Sequence, residues 1–115
     1  MSRFLVIEKV KGSIPFVAPD SPEARRLAGL FREDLEYKLK LQKQGKIVTG
    51  GPFLDILADC YILQVKTIEE MGEIFFNSPI NLWTDRKVHP LGTFEDSLEG
   101  MKEMSADVGK KSGKR

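Results

Sequence analysis

The sequence predicts an α+β protein with the element order β-α-β-β-α-β, in which four strands form one antiparallel sheet with both helices on one face. Two observations favour this fold. Stretches with apolar residues every three or four positions predict two amphipathic helices, and four short stretches rich in branched or aromatic residues predict strands. The chain has 115 residues and is 41% hydrophobic, which fits one domain over residues 1–104.

The first strand is predicted at residues 4–10, a run rich in branched apolar side chains. A loop with Pro15 and Pro19 follows it. The first helix is predicted over residues 22–44, because Ser21 can cap its first turn and proline is well tolerated at the first helical position. Its apolar face is expected to consist of Leu27, Leu30, Phe31, Leu35 and Leu39.

The second half of the chain is predicted to begin with a hairpin of two strands, at residues 46–54 and 58–65. A Thr-x-x-Glu capping box then starts a second helix, which should end before Pro79. The fourth strand is predicted at residues 82–91. Another threonine can cap a short extra helix that reaches residue 104.

A glycine-rich segment separates the first helix from the hairpin. Gly45 can adopt the positive φ that ends a helix. Gly50 and Gly51 interrupt an apolar strand, which indicates a bulge or the close approach of another group, and Pro52 cannot donate a backbone hydrogen bond. The segment therefore predicts the wall of a pocket.

Charge and cysteine content narrow the function classes. A net charge of +1 gives no general reason to expect binding to nucleic acid or to an anionic membrane. Residues 105–115 hold four basic residues against one acid and are expected to be a disordered, solvated tail. Cys60 is the only cysteine, so no intramolecular disulfide can form. With no apparent leader or membrane-length apolar run, a cytoplasmic location is expected.

A sheet covered by helices on one face leaves its other face bare. An exposed apolar sheet on a small protein favours a partner, and a second copy of the chain is the simplest one. The sequence therefore predicts a homodimer whose two sheets face each other and enclose a cavity, with a higher oligomer as an extension.

His89 is a candidate for proton transfer, because histidine is the side chain that ordinarily changes protonation near neutral pH. Strand alternation places it on one face with Trp83, Asp85 and Lys87. If that face looks into the dimer cavity, an aromatic wall, an acid and a base converge there. If it looks outward, these residues form an ordinary solvated strand.

Other candidates lie in and beside the hairpin. Asp55 and Asp59 flank its turn; an acid in a dry cleft can shuttle a proton, whereas aspartates at turns commonly bond the local backbone. Tyr61 could donate a hydrogen bond to a ligand, and Cys60, on the opposite face, is expected to pack inertly. Glu8 lies in an apolar strand, where it must be exposed, paired or functional.

No spacing of His, Cys or carboxylate residues is typical of a metal site, and no P-loop or dinucleotide fingerprint is present. No metal and no cofactor are therefore expected.

Three motifs resemble the dimeric α+β barrel proteins of the ferredoxin-like class: the run at 42–52, Ser78-Pro79, and the strand end at 88–91. Muconolactone isomerases have a similar long helix that ends in a Gln-Gly-Lys turn and a last strand that ends in Val-x-Pro-Leu. YCII-like proteins close the second strand with a Gly-Pro pair, as residues 51–52 do here. The resemblance covers about residues 3–91.

The resemblance implies a small cofactor-independent homodimeric enzyme with isomerase-like or lyase-like proton transfer on a small carboxylated or cyclic molecule. YCII-like proteins commonly carry a histidine on the first helix and an aspartate near the Gly-Pro pair. The histidine position corresponds to Asp34 here, and Asp55 lies near the aspartate position.

The expected site combines acid–base residues, His89 and Asp55, with ligand-binding residues, Gly50, Gly51, Tyr61, Trp83 and Asp85. Two other functions stay open. The protein could be a ligand-binding or structural homodimer without turnover, or an accessory module that docks on a partner through its helices and basic tail.

Overall fold

A four-stranded antiparallel sheet and three α-helices form the protein in a computed structural model that describes residues 1–11 and 20–113, with side chains as far as residue 106. The strands are β1 (Ser2–Val10), β2 (Ile47–Pro52), β3 (Ala58–Val65) and β4 (Thr84–Leu91), and the helices are α1 (Pro22–Lys43), α2 (Ile68–Phe76) and α3 (Phe94–Gly113). The strand order is β2-β3-β1-β4, with every neighbouring pair antiparallel. The predicted α+β fold with an extra C-terminal helix is confirmed.

The helix boundaries follow from local chemistry. Ser21 Oγ accepts a hydrogen bond from the Ala24 amide at 3.1 Å and starts α1. Gly45 follows the end of that helix with φ of 78°, the left-handed conformation that glycine adopts most easily. Thr67 and Thr93 each accept a bond from the backbone amide three residues later, at the starts of α2 and α3. These predicted caps are confirmed. The predicted loop residues Pro15 and Pro19 lie outside the described part of the chain.

The hydrophobic core lies between the sheet and the helices. Alternate residues of β1 and β3 point into it, and residues of α1, β2 and α2 complete it: Phe4, Val6, Leu41, Ile47, Tyr61, Leu63, Val65 and Ile74. The opposite face of the sheet carries half-buried Leu5, Ile7 and Ile62. The two faces of the sheet therefore have different environments, and the alternation decides on which one each site residue lies.

Gly50 permits a close approach between two strands. A Cβ atom at this position would lie 2.5 Å from Tyr61 Cβ and 2.5 Å from the Cys60 carbonyl oxygen, whereas one at Gly51 would meet nothing within 4 Å. The β2–β3 register also shifts between Ile47 and Thr49. The predicted close approach is therefore confirmed at Gly50, and it lets β2 lie directly against the Tyr61 backbone.

The fourth strand begins later than the sequence predicts. Asn81–Trp83 forms a 3₁₀ turn, in which the Asn81 amide bonds to the Ser78 carbonyl at 3.1 Å and the Trp83 amide bonds to the Ile80 carbonyl at 2.9 Å. β4 therefore starts at Thr84 and not at about residue 82 as predicted, because the Trp83 amide bonds within the turn, although the Trp83 carbonyl still accepts a 2.8 Å bond from the Lys11 amide.

The helix α3 runs to Gly113, beyond the predicted end at residue 104. Its apolar residues Phe94, Leu98, Met101 and Met104 are all exposed. Lys114 and Arg115 of the basic tail lie outside the described residues. Within the described ranges, no helix combines the length and the apolar content that crossing a bilayer requires.

Candidate functional site

The site is built around Glu8, an acid on the core-facing side of β1. Its side chain is only 1% exposed, so an uncompensated charge there would be very costly. Lys38 Nζ lies 2.6 Å from Glu8 Oε1, and Arg86 Nε donates a 2.6 Å hydrogen bond to Glu8 Oε2. Burial by itself would raise the pKa of Glu8, but Lys38 and Arg86 hold that pKa below its usual value. Glu8 is therefore an ionised, paired carboxylate.

The helix α1 supplies the second acid and the central cation. Asp34 and Lys38 are four residues apart, so they lie on one face of the helix, and Asp34 Oδ2 is 2.7 Å from Lys38 Nζ. Asp34 Oδ1 also accepts a 2.9 Å hydrogen bond from Ser78 Oγ, just after α2. These bonds fix Asp34 in a buried position between two helices.

Lys38 is the hub of the site. Besides Glu8 and Asp34, its ammonium group donates a hydrogen bond to Asp59 on β3. An ammonium group has three N–H donors, and here it meets three carboxylates. Burial would lower the pKa of Lys38, but Glu8 and then Asp34 and Asp59 raise it above its ordinary range. Lys38 therefore stays protonated at every pH at which the protein is expected to work.

Asp59 is the acid with the unusual pKa. Burial raises the pKa of Asp59 to about 6, since it outweighs the opposing hydrogen bond and charge of Lys38, and Glu8 and Asp34 add to the rise. Its Oδ2 atom bonds to Lys38, whereas its Oδ1 atom is buried without a hydrogen-bond partner. Asp59 thus combines a free acceptor atom with a pKa near neutrality.

The unusual pKa has a simple origin in the charge balance. Three carboxylates, Glu8, Asp34 and Asp59, face two cations, Lys38 and Arg86. With all five groups ionised, the cluster carries one surplus negative charge. Protonation of one carboxylate cancels this surplus. Asp59 is the carboxylate that takes the proton, because other groups compensate its negative charge least.

Tyr61 and Arg86 hold the cluster from the sheet side. The Tyr61 hydroxyl donates a 3.2 Å hydrogen bond to Glu8 Oε2, and burial followed by the Glu8 charge raises the pKa of Tyr61. Arg86 Nη1 donates a 2.9 Å bond to Asn81 Oδ1, and its guanidinium carbon lies 4.2 Å from the centroid of the Phe75 ring. Tyr61 therefore acts as a neutral hydrogen-bond donor, and Arg86 as a fixed cation.

Two cavities meet at Asp59. The first has a volume of about 150 Å³ and is lined by Leu35, Lys38, Leu39, Gly50, Gly51 and Tyr61 among others. The second has a volume of about 230 Å³ and is lined by Phe31, Phe53, Ile56, Leu57 and Ile80 among others. Leu35, Pro52 and Asp59 belong to both. A carboxyl group with a pKa of about 6 thus lies at the junction of two largely apolar spaces.

The three acids could also be considered as metal ligands. One oxygen each from Glu8, Asp34 and Asp59 lies within 4.8 Å of the others. Lys38 Nζ contacts all three carboxylates, so the chain's own ammonium group already supplies the positive charge that a metal ion would bring. A metal ion would have to displace Lys38.

The structure places the predicted site residues in three regions. Tyr61, Gly50 and Gly51 line the first cavity beside Lys38. His89 and Asp85 lie on β4 and are exposed; His89 pairs with Leu5, on the face opposite Glu8 and Tyr61. Asp55 is exposed in the β2–β3 connection, and Trp83 is 42% exposed in its 3₁₀ turn. Within a single chain, therefore, neither His89 nor Asp85 contacts either of these two cavities.

The sequence predicts neither Lys38 nor Arg86 as a site residue, and it favours Asp55 over Asp59 as the acid. A signal for Lys38 was present, because Asp34 and Lys38 continue the three-and-four spacing of Leu27 and Phe31 towards Leu41. Charged residues within such a stripe face the core and must be paired there. The predicted apolar positions Leu35 and Leu39 are instead 49% and 57% exposed, because they line the first cavity rather than the core.

Comparison with known proteins supports the fold. No protein-family model matches the sequence, and no curated protein sequence matches it. Among solved structures, muconolactone isomerase is similar with a TM-score of 0.64 and 19% sequence identity, over 79% of this chain and 88% of that one. The 5-chloro-2-hydroxyhydroquinone dehydrochlorinase TftG from Burkholderia phenoliruptrix AC1100, solved with 2,5-dihydroxybenzoquinone, gives a TM-score of 0.60 and 17% identity, over 82% and 97%. The chain therefore has the ferredoxin-like α+β fold found in these barrel proteins, as the sequence motifs predict.

Proposed function

We propose that this protein, which shares the fold of muconolactone isomerase, is a small isomerase that moves a proton within a cyclic substrate without a cofactor. Asp59 is the acid–base group in this proposal. The observation that carries it is the position of Asp59: a carboxyl group whose pKa is raised to about 6, bonded to Lys38, at the junction of two cavities.

The proposed reaction needs two proton transfers and no other reactant. The Asp59 carboxylate takes a proton from a carbon next to the substrate carbonyl, so that a C–H bond breaks and the electron pair moves into an enolate. Asp59 then returns the proton to a second carbon, which forms a new C–H bond and shifts the double bond. Atoms and charge balance at each step.

Lys38 stabilises the intermediate in this proposal. Once Asp59 has taken the proton, it is neutral and accepts a weaker hydrogen bond from Lys38. One ammonium N–H then becomes available for the enolate oxygen, in a site where an ionic hydrogen bond is strong. The surplus negative charge thus passes from Asp59 to the substrate while the cation that balances it stays in place.

The experiment that tests this proposal follows the isomerisation of 3-cyclohexen-1-one to its conjugated isomer by ultraviolet absorbance. We expect the protein to accelerate this reaction over buffer. Asp59 works in its ionised form, so kcat/KM should rise as the pH rises through about 6 and then stay level. Above that pH kcat/KM should stay level, because the pKa of Lys38 lies above its ordinary range and Lys38 keeps its charge. A rate equal to that of buffer, or a profile that falls as the pH rises, would overturn the proposal.

A second candidate function is ligand binding without turnover, and one observation favours it. The ammonium group of Lys38 meets a carboxylate for each of its N–H donors, an arrangement that is also suited to a purely structural cluster. Under this alternative the cavities bind the cyclic probe, but the probe is released unchanged.

We also propose that the protein forms a homodimer through the face of the sheet that carries Leu5, Ile7 and Ile62. Half-buried apolar side chains on this face support the proposal. In such a dimer His89 and Asp85 would lie near the interface, and their predicted roles would need the partner subunit. Light scattering is expected to give twice the 13.0 kDa mass of one chain, and the mass of a single chain at micromolar concentration would contradict the dimer. A cytoplasmic location stays a prediction.

A further inference from the structure

We propose that the substrate of this site is an uncharged, ring-sized molecule that carries a carbonyl or hydroxyl group, and that the site rejects carboxylates. The proposal rests on the proposed function insofar as it calls this ligand a substrate. The sequence resemblance allows either a carboxylated or a cyclic substrate, and we choose the uncharged cyclic one.

Within the described part of the chain, no free cation lines the cavities. Among the described residues, Lys38 is the only cationic side chain that lines either one, and three carboxylates already contact it. Arg86 has a buried Nη2 atom without a hydrogen-bond partner, but Arg86 lines neither cavity. Residues 12–19 contain no lysine, arginine or histidine. Among the residues whose side chains the structure describes, a substrate carboxylate would therefore find no unoccupied positive partner.

Electrostatic repulsion also disfavours an anionic ligand. With Asp59 ionised, the three acids outnumber the two cations by one, so a bound anion would lie beside a surplus negative charge. Like charges side by side in a dehydrated site disfavour binding strongly. The same surplus negative charge would attract a cationic ligand. However, Asp59 Oδ2 is already bonded to Lys38, so only the buried Oδ1 atom is left and a cation would not meet a free carboxylate.

The first cavity matches a single uncharged ring in size and polarity. An apolar cavity of about 150 Å³ can hold a benzene molecule, and the first cavity has this volume with a lining that includes Leu35, Leu39, Ile47 and Pro52. An uncharged ring molecule would fill this space without placing a second charge beside Asp59.

The test is a matched series of three ligands that share one ring and differ in charge: benzyl alcohol, benzoate and benzylammonium. Binding to the full chain is measured by ligand-observed NMR at about pH 8, where Asp59 is ionised. We expect benzyl alcohol to bind about tenfold or more tightly than benzoate, and more tightly than benzylammonium. Benzoate or benzylammonium binding as tightly as the alcohol would overturn the proposal, and so would the absence of alcohol binding at millimolar concentration.

Two variants connect the selectivity to the surplus charge. Asp59→Asn removes the charge while keeping the shape, so the preference for the alcohol over benzoate should narrow several-fold. Asp20→Asn changes an exposed aspartate just before α1 and should leave the preference as it is. An unchanged preference in Asp59→Asn would overturn the electrostatic argument. Turnover of 3-cyclohexen-1-one together with a preference for benzoate would reject this inference alone, whereas selective alcohol binding without turnover would reject the proposed catalysis alone.

Discussion

Asp59→Asn is expected to lower kcat/KM for the isomerisation of 3-cyclohexen-1-one by about 10²- to 10⁴-fold, the range that a positioned acid–base group contributes. Asparagine has nearly the same shape and can still accept a hydrogen bond from Lys38, but it cannot take a proton. The residual rate should lose the rise near pH 6, because the group responsible for that rise is absent.

The controls for this variant separate chemistry from folding. Asp20→Asn, a matched change at an exposed position, should keep the wild-type rate. The urea midpoint of Asp59→Asn at about pH 8 should not fall much, because Lys38 keeps two carboxylate partners and the surplus charge is gone. If His89→Ala lowered kcat/KM as much as Asp59→Asn does, this would contradict the assignment of Asp59 as the acid–base group and favour His89, the residue predicted from the sequence.

Lys38→Met is expected to cost about 3–5 kcal/mol of unfolding free energy, the typical effect of removing one partner from a buried ion pair. The Lys38 side chain is 13% exposed, and its removal leaves three carboxylates with Arg86 as the remaining cation among the described residues. Urea unfolding at neutral pH measures the loss. Lys40→Met, an exposed change on the same helix, should alter stability by less than about 0.5 kcal/mol.

Two further measurements test the cause of the Lys38→Met effect. The loss should shrink as the pH falls, because the unpaired carboxylates of the folded variant then take up protons and their repulsion disappears. Adding Asp59→Asn to Lys38→Met should restore part of the stability, since it removes one of the uncompensated charges. Equal losses from Lys38→Met and Lys40→Met would show that the cluster does not stabilise the fold.

The pH dependence of the wild-type stability has a defined sign for Asp59. Its pKa is about 6 in the folded protein against 3.8 as the ordinary value, so the folded state holds a proton that the unfolded chain has released. This group therefore favours folding as the pH falls from about 6 towards about 4, and ionisation above about 6 costs stability. Glu8 acts in the opposite direction, because its pKa is lowered in the folded state.

The sequence predicts most of the fold because the signals for its elements are local. Ser21, Gly45 and Thr67 mark helix ends through bonds to residues next to them in the chain. Strand alternation likewise places Tyr61 and Cys60 on opposite faces of the sheet, as predicted. The start of β4 was missed because it depends on the turn after Pro79, which side-chain periodicity does not report.

The site was harder to predict because its signals are not local. Asp59 appears in the sequence as one of two aspartates near a turn, and its distinction from Asp55 comes from Lys38, 21 residues earlier. Glu8 was recognised as an acid that needed an explanation, but its partners Lys38 and Arg86 lie far away in the chain. A search for charged residues within the α1 stripe would have found Asp34 and Lys38 without a structure.

The members of the cluster come from residues spread between 8 and 86, and each depends on a contact that is distant in sequence. Such contacts cost more loop-closure entropy than contacts between neighbours in the chain. A chain in which β4 has not yet docked has Glu8 without Arg86 and therefore a different charge balance. The proposed acid–base site is therefore complete only in a chain whose β4 is docked on β1, because the charge balance that the proposal needs includes Arg86.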